Sequence, residues 1–258
     1  MNGNMNRKNP ENSFMNLSLQ KHVFSTYLTL RYGIAVIGAL LPVVAYILGA
    51  LRGVELQPSI SAYYWAPFGL ADAPSRDWFV GSLFIIAACL YLYKGFSRRE
   101  NIALNIAAIF GLGVAVFPME YNCESEPGKF SVHGFCAVAM FVCLVYVVWF
   151  RAGDTLSLLS GPWITRFRRA YKVLGAVMLA SPLTAFALNS FIGPHTSFIF
   201  FVESAGIWAF AAYWWTKSNE MKRSGATAKV LRGEVSRPKE IEGGPLAPEA
   251  GPSVDLAG

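Results

Sequence analysis

The sequence predicts an all-α fold: a polytopic six-helix transmembrane bundle with both termini cytoplasmic (N-in/C-in). Three observations lead there. Of 258 residues, 54% are hydrophobic and only 15% charged, where a soluble domain carries about 25% charged. The charges gather in short stretches separated by six apolar runs of 17–22 residues, each long enough to cross ~30 Å of hydrocarbon at ~1.5 Å per residue. Buried strands of soluble α/β proteins run only about 4–8 residues. Lys and Arg, finally, fall mostly on one side of the alternating runs.

Residues 1–30 form a polar N-terminal segment, Asn-rich at first, with 21–30 expected as an interfacial helix. The transmembrane domain covers 31–216. Its first span is expected at 31–51, with Pro42 removing a backbone hydrogen bond in the middle. A loop over 52–77 follows, and then spans at 78–94, 101–119, 132–150, 172–193 and 197–216. Pro118 stops the third, Ser181-Pro182 interrupts the fifth, and Gly193-Pro194-His195-Thr196 makes the last turn. Residues 217–258, rich in Pro, Gly and charge, read as a disordered cytoplasmic tail. No cleaved signal peptide is expected, because the first apolar run starts near residue 31 and no small-x-small site follows it.

Orientation follows from the basic residues. Arg52, Arg76 and Lys129 fall on one side and the other 19 of the 22 Lys and Arg on the opposite side. Positive charge stays cytoplasmic, so both ends are expected inside; the membrane expected is a bacterial inner (plasma) membrane. The net charge of +6 does not indicate nucleic acid, since the basic residues lie between spans and form no single patch with interleaved aromatics. Of four cysteines, Cys89 and Cys143 fall in apolar runs. Cys123 and Cys136 would pair only on an oxidising side, and no spacing forms a disulfide framework or a CxxC zinc site.

The polar residues able to do chemistry gather toward the extracytoplasmic side. Glu203 lies about six residues inside the sixth span, ~9 Å below its outer end by helical rise. A carboxyl group there must be protonated, paired or hydrated. It reads as a ligand, proton carrier or base, or as a structural partner, for instance of Arg76. His133 opens the fourth span and has a side chain that titrates near neutrality. Asp77, before the second span, reads first as that helix's N-cap. Asp77, His133 and Glu203 together are candidate ligands for a catalytic metal. Ser61 is a candidate nucleophile without a GxSxG elbow, and His195 is a weaker acid/base candidate. Asn101 and Asn105, four residues apart, are expected to bond neighbouring helices. Ala107-x-x-x-Gly111-x-x-x-Ala115 and Ala205-x-x-x-Ala209 suit close helix contact.

Several of these features occur in a familiar order. They are Pro58-Ser59-Ile60-Ser61 after the first span and Arg76-Asp77 opening the second. Asn101 or Asn105 follows in the third, with Gly111 and Gly113, then Val132-His133-Gly134 opening the fourth and Glu203 in the sixth. Over residues 30–216 this resembles the six-helix DRAM/Frag/Sfk membrane proteins and related bacterial six-helix proteins. The resemblance implies a role in lipid remodelling or membrane organisation. Where DRAM-type loops carry a Gly after the Ser, this chain has Tyr63-Tyr64-Trp65. Ser61, Asp77 and His133 also resemble, in residue type, the Ser/Asp/His zinc hydrolases of membranes that include the alkaline ceramidases. The HxxxH of their last helix is absent here and six spans replace seven.

The function expected first is therefore non-catalytic. An outer polar cluster would bind a lipid headgroup or a partner protein, with membrane lipids, a membrane-protein partner or a second copy of the chain as its company. No cofactor is required by this reading. The alternatives are a metal-dependent lipid hydrolase using Asp77, His133 and Glu203, and a small proton-coupled solute carrier using Glu203.

Overall fold

The computed structural model describes residues 10–66, 72–119, 131–191 and 197–225, apart from the side chains of 10–21 and 189–191. Six α-helices follow one another: α1 (Pro10–Ala50), α2 (Pro74–Leu92), α3 (Arg98–Val116), α4 (Val132–Tyr146), α5 (Trp163–Phe191) and α6 (Phe198–Ser224). No strand occurs among the described residues. All six helices are long and apolar enough to cross a membrane, α4 by continuing into a π turn (Val147–Arg151) and a 3-10 segment (Ala152–Leu158). Large apolar side chains such as Val36, Ile47, Ile85, Ile109, Val138 and Phe186 face outward along these helices. In water such a surface would be unstable; in lipid it needs no cover.

Each helix packs on its neighbours in sequence, and α6 returns to pack on α1, so the bundle closes into a ring. We call the end where α1 enters and α6 leaves the basal end, and the other the loop end. Buried apolar side chains pack inside the ring. At the basal end aromatic rings meet edge to face, Tyr93 against Trp214 at 5.1 Å between centroids and Tyr171 against Tyr213 at 5.7 Å. Such pairs add roughly 0.5–1.5 kcal/mol each beyond the area they bury.

Small residues set the closest approaches. Ala107, Gly111 and Ala115 are all buried, and a Cβ on Gly111 would meet Met140 of α4 at 3.3 Å and Ala87 of α2 at 3.6 Å. On α6 the contact residue is Gly206, not the expected Ala205, which faces outward. A Cβ on Gly206 would come within 2.8 Å of the Ser181 Cβ on α5. Ser181 donates its hydroxyl to the Val202 carbonyl at 2.7 Å and draws the two helices together.

Pro42 sits inside a continuous α1. A helical proline disturbs the hydrogen bonds of the preceding turn. Two indoles from flanking helices supply donors there. Trp208 of α6 bonds the Ala39 carbonyl and Trp78 of α2 the Leu41 carbonyl, both at 3.1 Å.

Several element ends differ from the sequence expectation. α1 is helical from Pro10 rather than from 21, α5 starts at Trp163 rather than 172, and α6 runs to Ser224 rather than 216. The remainder of the expected tail, from 226 on, lies outside the described residues.

Candidate functional site

At the loop end, residues 57–65 fold down onto the bundle instead of looping free. Ile60, Ala62 and Tyr63 are buried, in a 3-10 turn over Ser61–Tyr64. The Tyr63 ring lies against Phe200 of α6 and over Gly49 of α1, where a Cβ would approach to 2.8 Å. Its hydroxyl accepts the Gln57 N–H at 3.4 Å, and burial pushes its pKa up.

Four polar side chains fasten this segment. Glu203 accepts the Ile60 N–H at 2.8 Å. This is the partner of the intramembrane carboxyl group, since Arg76 pairs instead with Asp77 at 3.6 Å. Ser59 accepts the Ala62 N–H at 3.1 Å, and the Trp65 indole donates to the Met119 carbonyl at 2.7 Å. His133 of α4 completes the set. Its Nδ1 lies 2.8 Å from the Phe117 carbonyl and its Nε2 2.9 Å from the Ser61 hydroxyl. A carbonyl only accepts, so Nδ1 carries the hydrogen. The neutral ring then turns its Nε2 lone pair to the Ser61 O–H. Ser131 caps α4 by accepting the Gly134 N–H and so fixes where His133 emerges.

Of the residues expected at the site, the structure joins Ser61 to His133 and ties Glu203 to the residue before Ser61. Asp77 stands apart, its side chain 72% exposed. It is not the N-cap either: α2 begins one turn earlier, capped at Ala73, so Asp77 meets the helix dipole from within the first turn. Among the described residues, no three His, Cys, Asp or Glu side chains gather as a set able to hold a metal ion. Cys89, Cys136 and Cys143 carry free thiols, while Cys123, Lys129 and His195 lie outside the described residues.

A second polar cluster, unforeseen in the sequence, occupies the basal interior. Lys217 is 2% exposed and Glu220 is 0% exposed. The Lys217 ammonium donates to Glu220 at 2.7 Å, to the Thr155 hydroxyl at 2.6 Å and to the Ala152 carbonyl at 2.8 Å. Glu220 also accepts from Thr155 and from the Tyr171 hydroxyl, both at 2.6 Å. Nearby, Arg151 bonds Ser97 at 3.1 Å and Asp154 at 2.9 Å, and buried Glu100 accepts the Phe96 N–H at 2.7 Å. Arg31 is buried beside this network, its guanidinium 5.1 Å from the Tyr93 ring centroid. Asn101 and Asn105 do not bond neighbouring helices through their Oδ1 atoms as expected: both are buried without a partner. One signal for this cluster was present in the sequence. Tyr213, Trp214, Lys217, Glu220, Met221 and Ser224 keep the helical three-to-four spacing beyond residue 216.

Six apolar helices packed in a ring, with a polar cluster at each end, define a polytopic helical membrane protein. The chain matches no protein-family model, no curated protein and no solved structure.

Proposed function

We propose that this is a non-catalytic integral protein of a bacterial inner membrane, N-in and C-in, whose loop end binds a lipid headgroup through Ser61 and His133. One observation supports this above all: the oriented hydroxyl–imidazole pair stands at a rim of the bundle, on a segment whose neighbouring backbone donors are already engaged. The N–H groups of Ile60, Ala62 and Tyr63 bond Glu203, Ser59 and the Ile60 carbonyl. An acyl-transfer site needs such donors free for an oxyanion. Polar contact without chemistry needs only the hydroxyl and the ring. The basic residues support the orientation, since Lys94, Arg98, Arg166, Arg168, Lys222 and Arg223 are all exposed at the basal end. The resemblance to DRAM/Frag/Sfk proteins makes membrane organisation the setting.

The test is lipid retention. Purified wild type and His133→Ala, extracted in mild detergent, are compared by native mass spectrometry for bound lipid. Retention is expected to fall in the variant, and equal retention would overturn the reading.

The Ser61–His133 geometry itself favours a second reading, a lipid hydrolase with Ser61 as nucleophile. A base within hydrogen-bond reach of a hydroxyl and oriented by a third group is the arrangement that activates serine. A fluorophosphonate probe decides between the two: labelling lost in Ser61→Ala would make the protein an enzyme, and no labelling of the wild type leaves headgroup binding.

A further inference from the structure

We propose that the basal interior holds a phosphate-binding site built on Arg31 and the Trp214 indole, taking a phosphate monoester or diester. Arg31 is 2% exposed and its Nε and Nη1 have no hydrogen-bond partner. A guanidinium group cannot shed its charge by deprotonation. A buried donor left without an acceptor is unfavourable. Trp214 is 1% exposed, and its Nε1 hydrogen also has no acceptor. Both groups border the same ring. The guanidinium carbon lies 5.1 Å from the Tyr93 centroid, and the Trp214 ring packs on it edge to face, also at 5.1 Å.

The surrounding charges do not answer this demand. Lys217 and Glu220 satisfy each other, Arg151 pairs with Asp154, and Glu100 is turned to the Phe96 N–H. Arg31 itself forms no ion pair with the described residues. What remains is a guanidinium without an ion-pair partner, whose Nε and Nη1, like the Trp214 Nε1, have no acceptor, and a group rich in acceptor oxygens would answer all three. A phosphate group fits the planar fork of Arg and leaves an oxygen for the indole.

The position fits as well. Arg31 is level with Tyr93, which closes α2, and the next residue, Lys94, is exposed. Arg98, Lys222 and Arg223 are exposed at the same end. In the N-in orientation proposed above, this end meets the phosphates of the inner leaflet, behind a basic rim that attracts anions. The same chemistry would come from an anionic phospholipid or from a soluble phosphate ester. The proposal does not depend on the loop-end reading, which involves other residues at the other end.

The test uses the full chain in neutral detergent, offered phosphatidylglycerol, phosphatidylcholine or inorganic phosphate. Binding is read by native mass spectrometry, by thermal shift and by Trp fluorescence. Lipid retained by the wild type and held at least about tenfold more weakly by Arg31→Gln would support the site with a lipid as its source. An upward thermal shift with inorganic phosphate that Arg31→Gln lacks would support it with a soluble source. Trp214→Phe keeps the ring and deletes only the N–H, and should weaken binding several-fold. It carries the test if Arg31→Gln does not fold. No binding of either phosphate source by the wild type would overturn the proposal, as would Trp214→Phe and Arg31→Gln binding like the wild type.

Discussion

Replacing Glu220 by Ala should destabilise the bundle by about 3–5 kcal/mol, the cost of leaving a buried partner charge uncompensated. The figure follows from what surrounds the carboxylate. It accepts from Thr155, Tyr171 and Lys217, all buried. Without it, the Lys217 ammonium keeps two neutral acceptors, the Ala152 carbonyl and the Thr155 hydroxyl, and the Tyr171 ring 5.5 Å away. Thr155 and Tyr171 also lose the oxygen they donate to. Glu220→Gln keeps an acceptor and should fall between Ala and wild type. Lys217→Met combined with Glu220→Ala removes the stranded cation and should be at least about 1 kcal/mol more stable than Glu220→Ala alone, a coupling of the size expected for residues in one network. The assay is equilibrium unfolding of the detergent-solubilised protein in increasing sodium dodecyl sulfate, followed by Trp fluorescence and circular dichroism. A cost below about 1 kcal/mol for Glu220→Ala, or strict additivity in the double variant, would show that the pair is hydrated or open and that the reasoning fails.

Four further outcomes can be checked. Gly206→Ala forces a methyl group against Ser181 and should lower stability by about 1–3 kcal/mol by overpacking, read in the same unfolding assay; Ala205→Val, facing outward, serves as the neutral control. Tyr63, buried with a raised pKa, holds its proton more tightly folded than unfolded. Its contribution is therefore complete below about pH 10 and declines as pH rises past that ordinary value. Tyr63→Phe should flatten this alkaline loss of melting temperature. His133→Ala removes the tie between the 3-10 turn and α4. A cysteine placed at Ser61 should then react with a water-soluble maleimide several-fold faster than the same cysteine beside an intact His133. For orientation, Arg98→Cys should be labelled only after inner-face access is provided; labelling from outside intact cells would reverse the assigned topology.

The apolar runs made the number of helices legible, because crossing hydrocarbon requires length and low charge and both can be counted. Their ends were less so. Lys217 and Glu220 look like the start of a polar tail, yet they neutralise each other inside the ring and the helix continues through them. The rule that charge ends a span assumes that each charge reaches water, and a buried pair breaks that assumption. Arg31 misleads similarly, being read as a boundary although it is buried. At the loop end, residue types gave Ser61, His133 and Glu203 as candidates but no proximity. Ser61 and His133 lie 72 positions apart, and only the folding of 57–65 onto the bundle joins them. Asp77 stands apart from that pair, exposed in the first turn of α2, which begins at Pro74.

The two tryptophans beside Pro42 carry a further meaning. A proline in the middle of a span is ordinarily where a rod bends or swivels. Here that point is held from either side, by α2 and by α6, each gripping an oxygen of the same turn. A swing of the loop-end half of α1 about Pro42 would strain these indole contacts, which link it to both flanking helices. The proline turn thus ties α1, α2 and α6 together.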